Sequence, residues 1–205
     1  METQVKFNIS YDDLLKIHKK NKDFDKAYEP LLNVKDPWQD IDKVVDFVRR
    51  WDQRVPVGRN KDKIMNTLRS LKDKFSLLKG IELECFNCQP ANLDLTEKIF
   101  KSLSEIELRT SNRVIHLGPI GASKLMHAMN KCLFVMWDNG ICEHYGVYPN
   151  EKGYLRFMET MQAVAINVLK EHKKVEISKE TNRTLAKLLD KYNWIKFSTS
   201  KMGLN

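Results

Sequence analysis

No stretch of the chain approaches the roughly 18 consecutive apolar residues that a bilayer-spanning helix requires, so no membrane association is expected. The opening residues, METQVKFNISYDD, carry neither the apolar run nor the small-residue cleavage site of a secretory leader. The cytoplasm is the expected compartment, with nucleoid association if the protein binds DNA. Cysteine is scarce, four in 205 residues, too few for a disulfide framework to replace a core in a chain this long. Glycine and proline cluster at Val55–Asn60, Asn87–Asn92 and Leu117–Gly121, none of them a long linker. No internal repeat is present, which excludes solenoids. Period-two alternation is nearly missing. Only Ile81 to Phe86 reads as a strand, and it is short.

What is present is helical periodicity. Ile41, Val44, Val45, Val48 and Trp51 recur at three and four residues within Asp36 to Trp51, and Asp36-Pro37 supplies a capping residue followed by proline. Asn60 to Leu78 carries Ile64, Met65, Leu68, Leu71, Phe75 and Leu78 on one face. Leu95 to Ile106, Asn150 to Lys170 and Ser178 to Tyr192 repeat the pattern. The expected fold is all-α: one irregular helical domain over residues 1–205, compact or divided into lobes of about 1–110 and 111–205, with room for a helix-hairpin-helix element.

The net charge is +8, and its distribution is uneven. Lys16, Lys19, Lys20 and Lys22 form one run. Arg49, Arg50, Arg54, Arg59, Lys61, Lys63, Arg69, Lys72, Lys74 and Lys79 form a longer belt. Such a surface favours a polyanion, because each neutralised phosphate releases condensed counterions; a merely solvated lysine-rich surface is the competing account. Cys85 and Cys88 make a C-x-x-C that suits structural thiols, half a metal site or a redox pair. Cys132 and Cys142 do not complete a familiar zinc spacing, so no metal and no cofactor are implied.

Arg113 to Tyr145 differs from the rest. It opens on the β-branched pair Val114-Ile115 and turns through Leu117-Gly118-Pro119-Ile120-Gly121, where glycine permits positive φ and close backbone approach. A helix follows with Ala122, Leu125, Met126 and Met129 on its apolar side. An apolar run from Leu133 to Trp137 then ends in Asp138. A glycine turn entering a helix presents free N–H groups that suit a phosphate.

This order of hairpin, helix, apolar run and aspartate resembles the helix-hairpin-helix DNA glycosylase superfamily, over about 35 of the 205 residues. The resemblance implies a DNA partner, a base flipped from the helix, and an aspartate that assists cleavage of the N-glycosidic bond. By that resemblance Leu117, Gly118, Ile120 and Gly121 make the hairpin, with Lys124 beside it on the nucleic acid, and Asp138 is the catalytic carboxylate. Trp51, Trp137 and Tyr145 are candidate walls of a base pocket. Two departures stand: the glycines are three apart rather than two, and Lys124 fits neither register for the nucleophilic lysine of the lyase members. Hydrolysis by an Asp138-assisted water is therefore expected over Schiff-base chemistry, and the reading is a monofunctional, glycosylase-like enzyme of base excision repair.

Each feature also has a plainer account. Gly118-Pro119 suits an ordinary turn between helices, and Asp138 suits an N-cap for the helix holding Ile141 and His144. Trp137 suits a core position, and His116 and His127 suit the surface or the core edge. Lys124 suits a solvated or ion-paired position. A non-catalytic nucleic-acid-binding protein and a helical interaction protein with incidental basic charge remain the alternatives.

Overall fold

The helical periodicity is realised along most of the chain. The computed structural model describes residues 9–21, 26–51 and 56–198; Lys22 and Arg54 of the basic runs lie outside them. Among the described residues the order is α1 (Tyr11–Lys20), α2 (Glu29–Leu32), α3 (Ile41–Trp51), α4 (Val57–Ser70) and α5 (Lys72–Leu77). Next come α6 (Pro90–Ser104), strands β1 (Glu107–Arg109) and β2 (Val114–His116), α7 (Gly118–Met129) and α8 (Asn139–His144). The chain continues through α9 (Glu151–Glu171), α10 (Lys174–Thr181) and α11 (Leu185–Asn193). The architecture is all-α, and its buried apolar side chains form one continuous cluster.

Local side-chain chemistry moves several helix ends from their expected places. Asp36 uses Oδ1 to accept the Trp38 N–H at 2.9 Å, forming an Asx turn, and α3 starts only at Ile41. The stretch Asn60–Leu78 is two helices meeting at Leu71, whose N–H is shared between the Thr67 and Leu68 carbonyls. Ser178–Tyr192 is likewise two. Asn182 takes a left-handed conformation, φ 53°, that ends α10, and the Thr184 side chain caps α11 by accepting from the Lys187 N–H. The α9 expectation fits closely, with Asn150 as its N-cap.

Ile81–Phe86 is not a strand. Leu83–Cys85 forms a 3-10 turn, and Leu83 and Phe86, three residues apart, both insert into the core, a spacing that alternation does not produce. The only sheet among the described residues is the antiparallel ribbon β1–β2, with Leu108 opposite Ile115. Asn60 of α4 pins it, accepting the Arg109 N–H at 2.7 Å and donating to the Arg109 carbonyl at 3.0 Å.

Two elements position everything else. From Gly121 to Met129, α7 is buried on all sides, as a helix with little polar face must be. After it the chain passes through a turn at 131–133, and Phe134–Trp137 runs through the interior without regular secondary structure, every side chain from Leu133 to Trp137 buried. Its backbone groups find side-chain partners. Tyr154 donates to the Val135 carbonyl at 2.9 Å, Ser123 accepts from the Trp137 N–H at 3.5 Å, and the Val135 N–H points at the Met158 sulfur.

His127, expected at the surface or core edge, lies wholly inside. Its Nδ1 is 2.6 Å from the Phe134 carbonyl, which can only accept, so Nδ1 carries the proton and Nε2 accepts from the Tyr28 hydroxyl at 2.9 Å. Burial, reinforced by the nearby Lys187 and Lys131, pushes its pKa down to about 3. The folded state thus refuses a proton that the unfolded chain takes up near the ordinary histidine pKa. Stability contributed by neutral His127 is complete above about pH 6.5 and falls as pH drops toward 3, by about 1.4 kcal/mol per pH unit. Urea denaturation between pH 4 and 7 should show this slope, and His127→Asn should lose about one proton's share of it. An unchanged slope in the variant would mean that His127 is not held neutral.

Candidate functional site

A cavity of about 360 Å³ opens between the end of α3, the start of α7, the residues before α8 and the end of α11. Its apolar walls are Trp51, Trp137, Trp194, Ile120, Met136 and Ile141, and its charged groups are Arg50, Lys124, Asp138 and Asp190. Each side chain arrives for a local reason. Arg50 and Trp51 end α3. Ile120 and Lys124 lie one turn apart on α7, hence on one face. Met136, Trp137 and Asp138 are delivered by the non-helical segment that follows α7.

Asp138 is the N-cap of α8: its Oδ1 accepts the Ile141 N–H at 3.0 Å and the Ser198 hydroxyl at 2.8 Å. The same side chain lines the cavity, so capping and cavity positions coincide. Trp137 serves two surroundings as well. It is buried against Phe100, Tyr154 and Phe157, its Nε1–H donates to the Pro119 carbonyl at 3.1 Å, and it meets the cavity at the margin of that aromatic cluster.

The glycine turn is built differently from a hairpin joining two helices. Strand β2, not a helix, leads into it, and Gly118 already begins α7. Gly118 has φ 76°, which favours glycine, while a Cβ at Gly121 would fall 2.5 Å from Leu117 Cδ1. Leu117 and Gly121 are buried; Gly118 and Ile120 are partly exposed, and Ile120 faces the cavity. Lys124, expected beside the nucleic-acid backbone or in solvent, is only 5% exposed and belongs to the cavity. Tyr145 is not among the cavity walls: it packs on Phe157, and its hydroxyl donates to Asn193.

Asp190, Lys187, Trp194 and Ser198 were not anticipated. Lys187 is fully buried, donates to Asp190 Oδ2 at 2.5 Å, and lies 4.5 Å from the ring centroids of both Tyr28 and Trp51. A cation between two aromatic faces is attracted by both quadrupoles. Burial pushes the Asp190 carboxyl up, while Lys187 and, more weakly, Lys124 pull it down. In sequence, Lys187 and Asp190 look like the solvated face of an amphipathic α11; the Tyr28 and Trp51 rings cover the Lys187 ammonium. The i,i+3 spacing of opposite charges was the one available signal.

The basic belt is partly neutralised. Lys61 pairs with Asp42 and Asp46, and Lys63 with Glu107. Arg49, Arg59, Lys72 and Lys79 are exposed, and the belt meets the cavity at Arg50. The four cysteines are free thiols, Cys85, Cys88 and Cys132 exposed and Cys142 pushed up to about 12 by burial. Among the described residues, no three His, Cys, Asp or Glu side chains converge as metal ligands, and no helix is long and apolar enough to cross a membrane.

No family model matches the chain, and no curated protein or solved structure is detectably similar to it.

The Lys187–Asp190 pair makes a direct stability test. Asp190→Asn leaves a buried ammonium without its counter-ion and should cost about 3–5 kcal/mol in chemical denaturation. The double variant Lys187→Met/Asp190→Leu should recover most of that loss, since no charge is then stranded. A single-variant cost below about 1 kcal/mol is the value for a solvated pair and would contradict the burial.

Proposed function

We propose that the protein is a DNA-binding enzyme that removes a base by hydrolysing its N-glycosidic bond, with Asp138 as the catalytic carboxylate. The observation that carries this reading is the company Asp138 keeps. Residues singled out from separate stretches of sequence, Trp51, Ile120, Lys124, Trp137 and Asp138, line one cavity. At about 360 Å³ it falls at the small end of the ~300–1,000 Å³ range of ligand pockets, a size that suits one base and not a duplex.

The chemistry follows from those groups. A base swung out of the stack loses its neighbours, and indole faces at Trp51 and Trp194 replace them. As the bond between C1′ and the base nitrogen breaks, positive charge builds on the sugar and the bonding electron pair leaves with the base. Asp138 Oδ2 has no protein donor among the described residues, because both donors bind Oδ1. It stabilises the sugar cation and takes a proton from the water whose oxygen bonds C1′. The Lys124 and Arg50 charges face the electrons carried off by the base. Phosphates flanking the flipped nucleotide meet Arg49, Arg50 and the exposed part of the belt, with the first turn of α7 at Gly118 as an anion contact.

The test is incubation with oligonucleotides carrying uracil, oxidised or alkylated bases, followed by alkaline cleavage of abasic sites. Asp138→Asn should reduce base release by about 10²–10⁴-fold and leave DNA binding in place, while binding itself should weaken steeply with salt. A borohydride-trapped adduct lost in Lys124→Gln would move the nucleophile from water to that amine. Salt-sensitive binding with no base released from any lesion would leave a non-catalytic nucleic-acid-binding protein. No binding near physiological salt would leave a helical interaction protein.

A further inference from the structure

We infer that Ser198 is a positioning residue for Asp138, selecting which carboxylate oxygen the cavity receives; the inference rests on the base-excision reading above. Directly after α11 the chain makes a π-helical turn, Trp194–Ser198. Turns of this type are rare and concentrate at functional sites. This one spans the site from wall to carboxylate. Trp194, at its start, lines the cavity, and the buried Ser198, at its end, donates to Asp138 Oδ1 at 2.8 Å.

Two further contacts hold the turn against α8. The Phe197 ring stacks on His144, with 3.4 Å between centroids and 10° between planes. The Phe197 carbonyl lies over Gly140, where a Cβ would fall 2.7 Å from its oxygen, so a side chain at that position would push the turn away. The turn is therefore seated independently of the Ser198 hydroxyl, which makes the hydroxyl's own role separable.

That role is geometric. With the Ile141 N–H alone on Oδ1, at 3.0 Å, the carboxylate rotates about its last bond and exchanges its two oxygens at little cost. A second donor on the same oxygen, from the opposite chain segment, fixes the plane. Oδ2 is then held as the oxygen without a protein donor among the described residues, the one that meets a developing sugar cation or a water. A carboxylate already oriented needs no rearrangement when charge appears, which is the source of most electrostatic catalysis.

Ser198→Ala and Ser198→Thr in the full chain test this. Single-turnover base release should fall about tenfold in Ser198→Ala, the worth of one hydrogen bond to a charged acceptor. The dissociation constant for the same oligonucleotide should stay unchanged, and Ser198→Thr should restore the rate. In an Asp138→Asn background, Ser198→Ala should have no further effect on the rate. Hydrogen exchange at the Ile141 amide reads the clamp without reference to activity: it should speed up in Ser198→Ala and return to the wild-type rate in Ser198→Thr. A Ser198→Ala protein with wild-type base release overturns the inference. So does unchanged Ile141 exchange, whatever the activity. Should the wild type release no base, the base-excision reading falls by itself, and faster Ile141 exchange would still uphold Ser198 as the residue that holds Asp138.

Discussion

Four residues outside any helix or strand, Phe134–Trp137, cross the apolar interior, and side chains from neighbouring helices meet several of their backbone groups. A buried amide or carbonyl left without a partner costs about 1–3 kcal/mol; the Leu133 and Phe134 N–H groups use the Asn130 carbonyl, and side chains meet others. His127 and Ser123 come from α7 and Tyr154 from α9. These contacts account for the fully buried serine and histidine of α7. The arrangement fixes the register of the segment, and with it the point at which Asp138 emerges to cap α8 and enter the cavity.

A second set of buried groups ties the cavity wall to that core. The Tyr28 hydroxyl donates to His127, and the Tyr28 ring faces Lys187, whose ammonium also lies over Trp51 and pairs with Asp190. Core and site thus share members: Trp51 and Asp190 belong to the cavity, His127 to the interior, and Tyr28 and Lys187 join them. Such a wall does not yield easily, because moving Trp51 would expose a cation from its aromatic cover and disturb a buried ion pair. A site of this kind is pre-organised before any ligand arrives.

Charge outside the cavity follows a different rule. Two lysines of the belt, Lys61 and Lys63, are engaged by nearby acids at the surface, where pairs contribute little to stability. Their partners lower the local field, so the positive potential is carried by the exposed Arg49, Arg50, Arg59, Lys72 and Lys79. Arg50 is both a belt residue and a cavity residue. An anionic polymer drawn to the belt would reach the opening through it, which joins the steering of a ligand to the place where chemistry is proposed.

The all-α class, the span of the α9 helix, the positive φ at Gly118 and the tight approach at Gly121 were legible in the order of residues, since each rests on contacts within a few positions of chain. Asp138 was legible as a cap and as a candidate carboxylate, and those two positions coincide. The breaks at Leu71 and Asn182, the 3-10 turn at Leu83–Cys85 and the inward Lys124 were not, because periodicity records which faces are apolar and not where two helices divide or what covers a polar one. Sequence by itself determined local conformation and the identity of the groups able to do chemistry. Tertiary structure alone decided that Asp190, Trp194 and Ser198 share the site with Asp138 and that Lys187 pairs with Asp190 behind it, because burial of a charged face and the meeting of segments 60 residues apart depend on the packing of the whole chain.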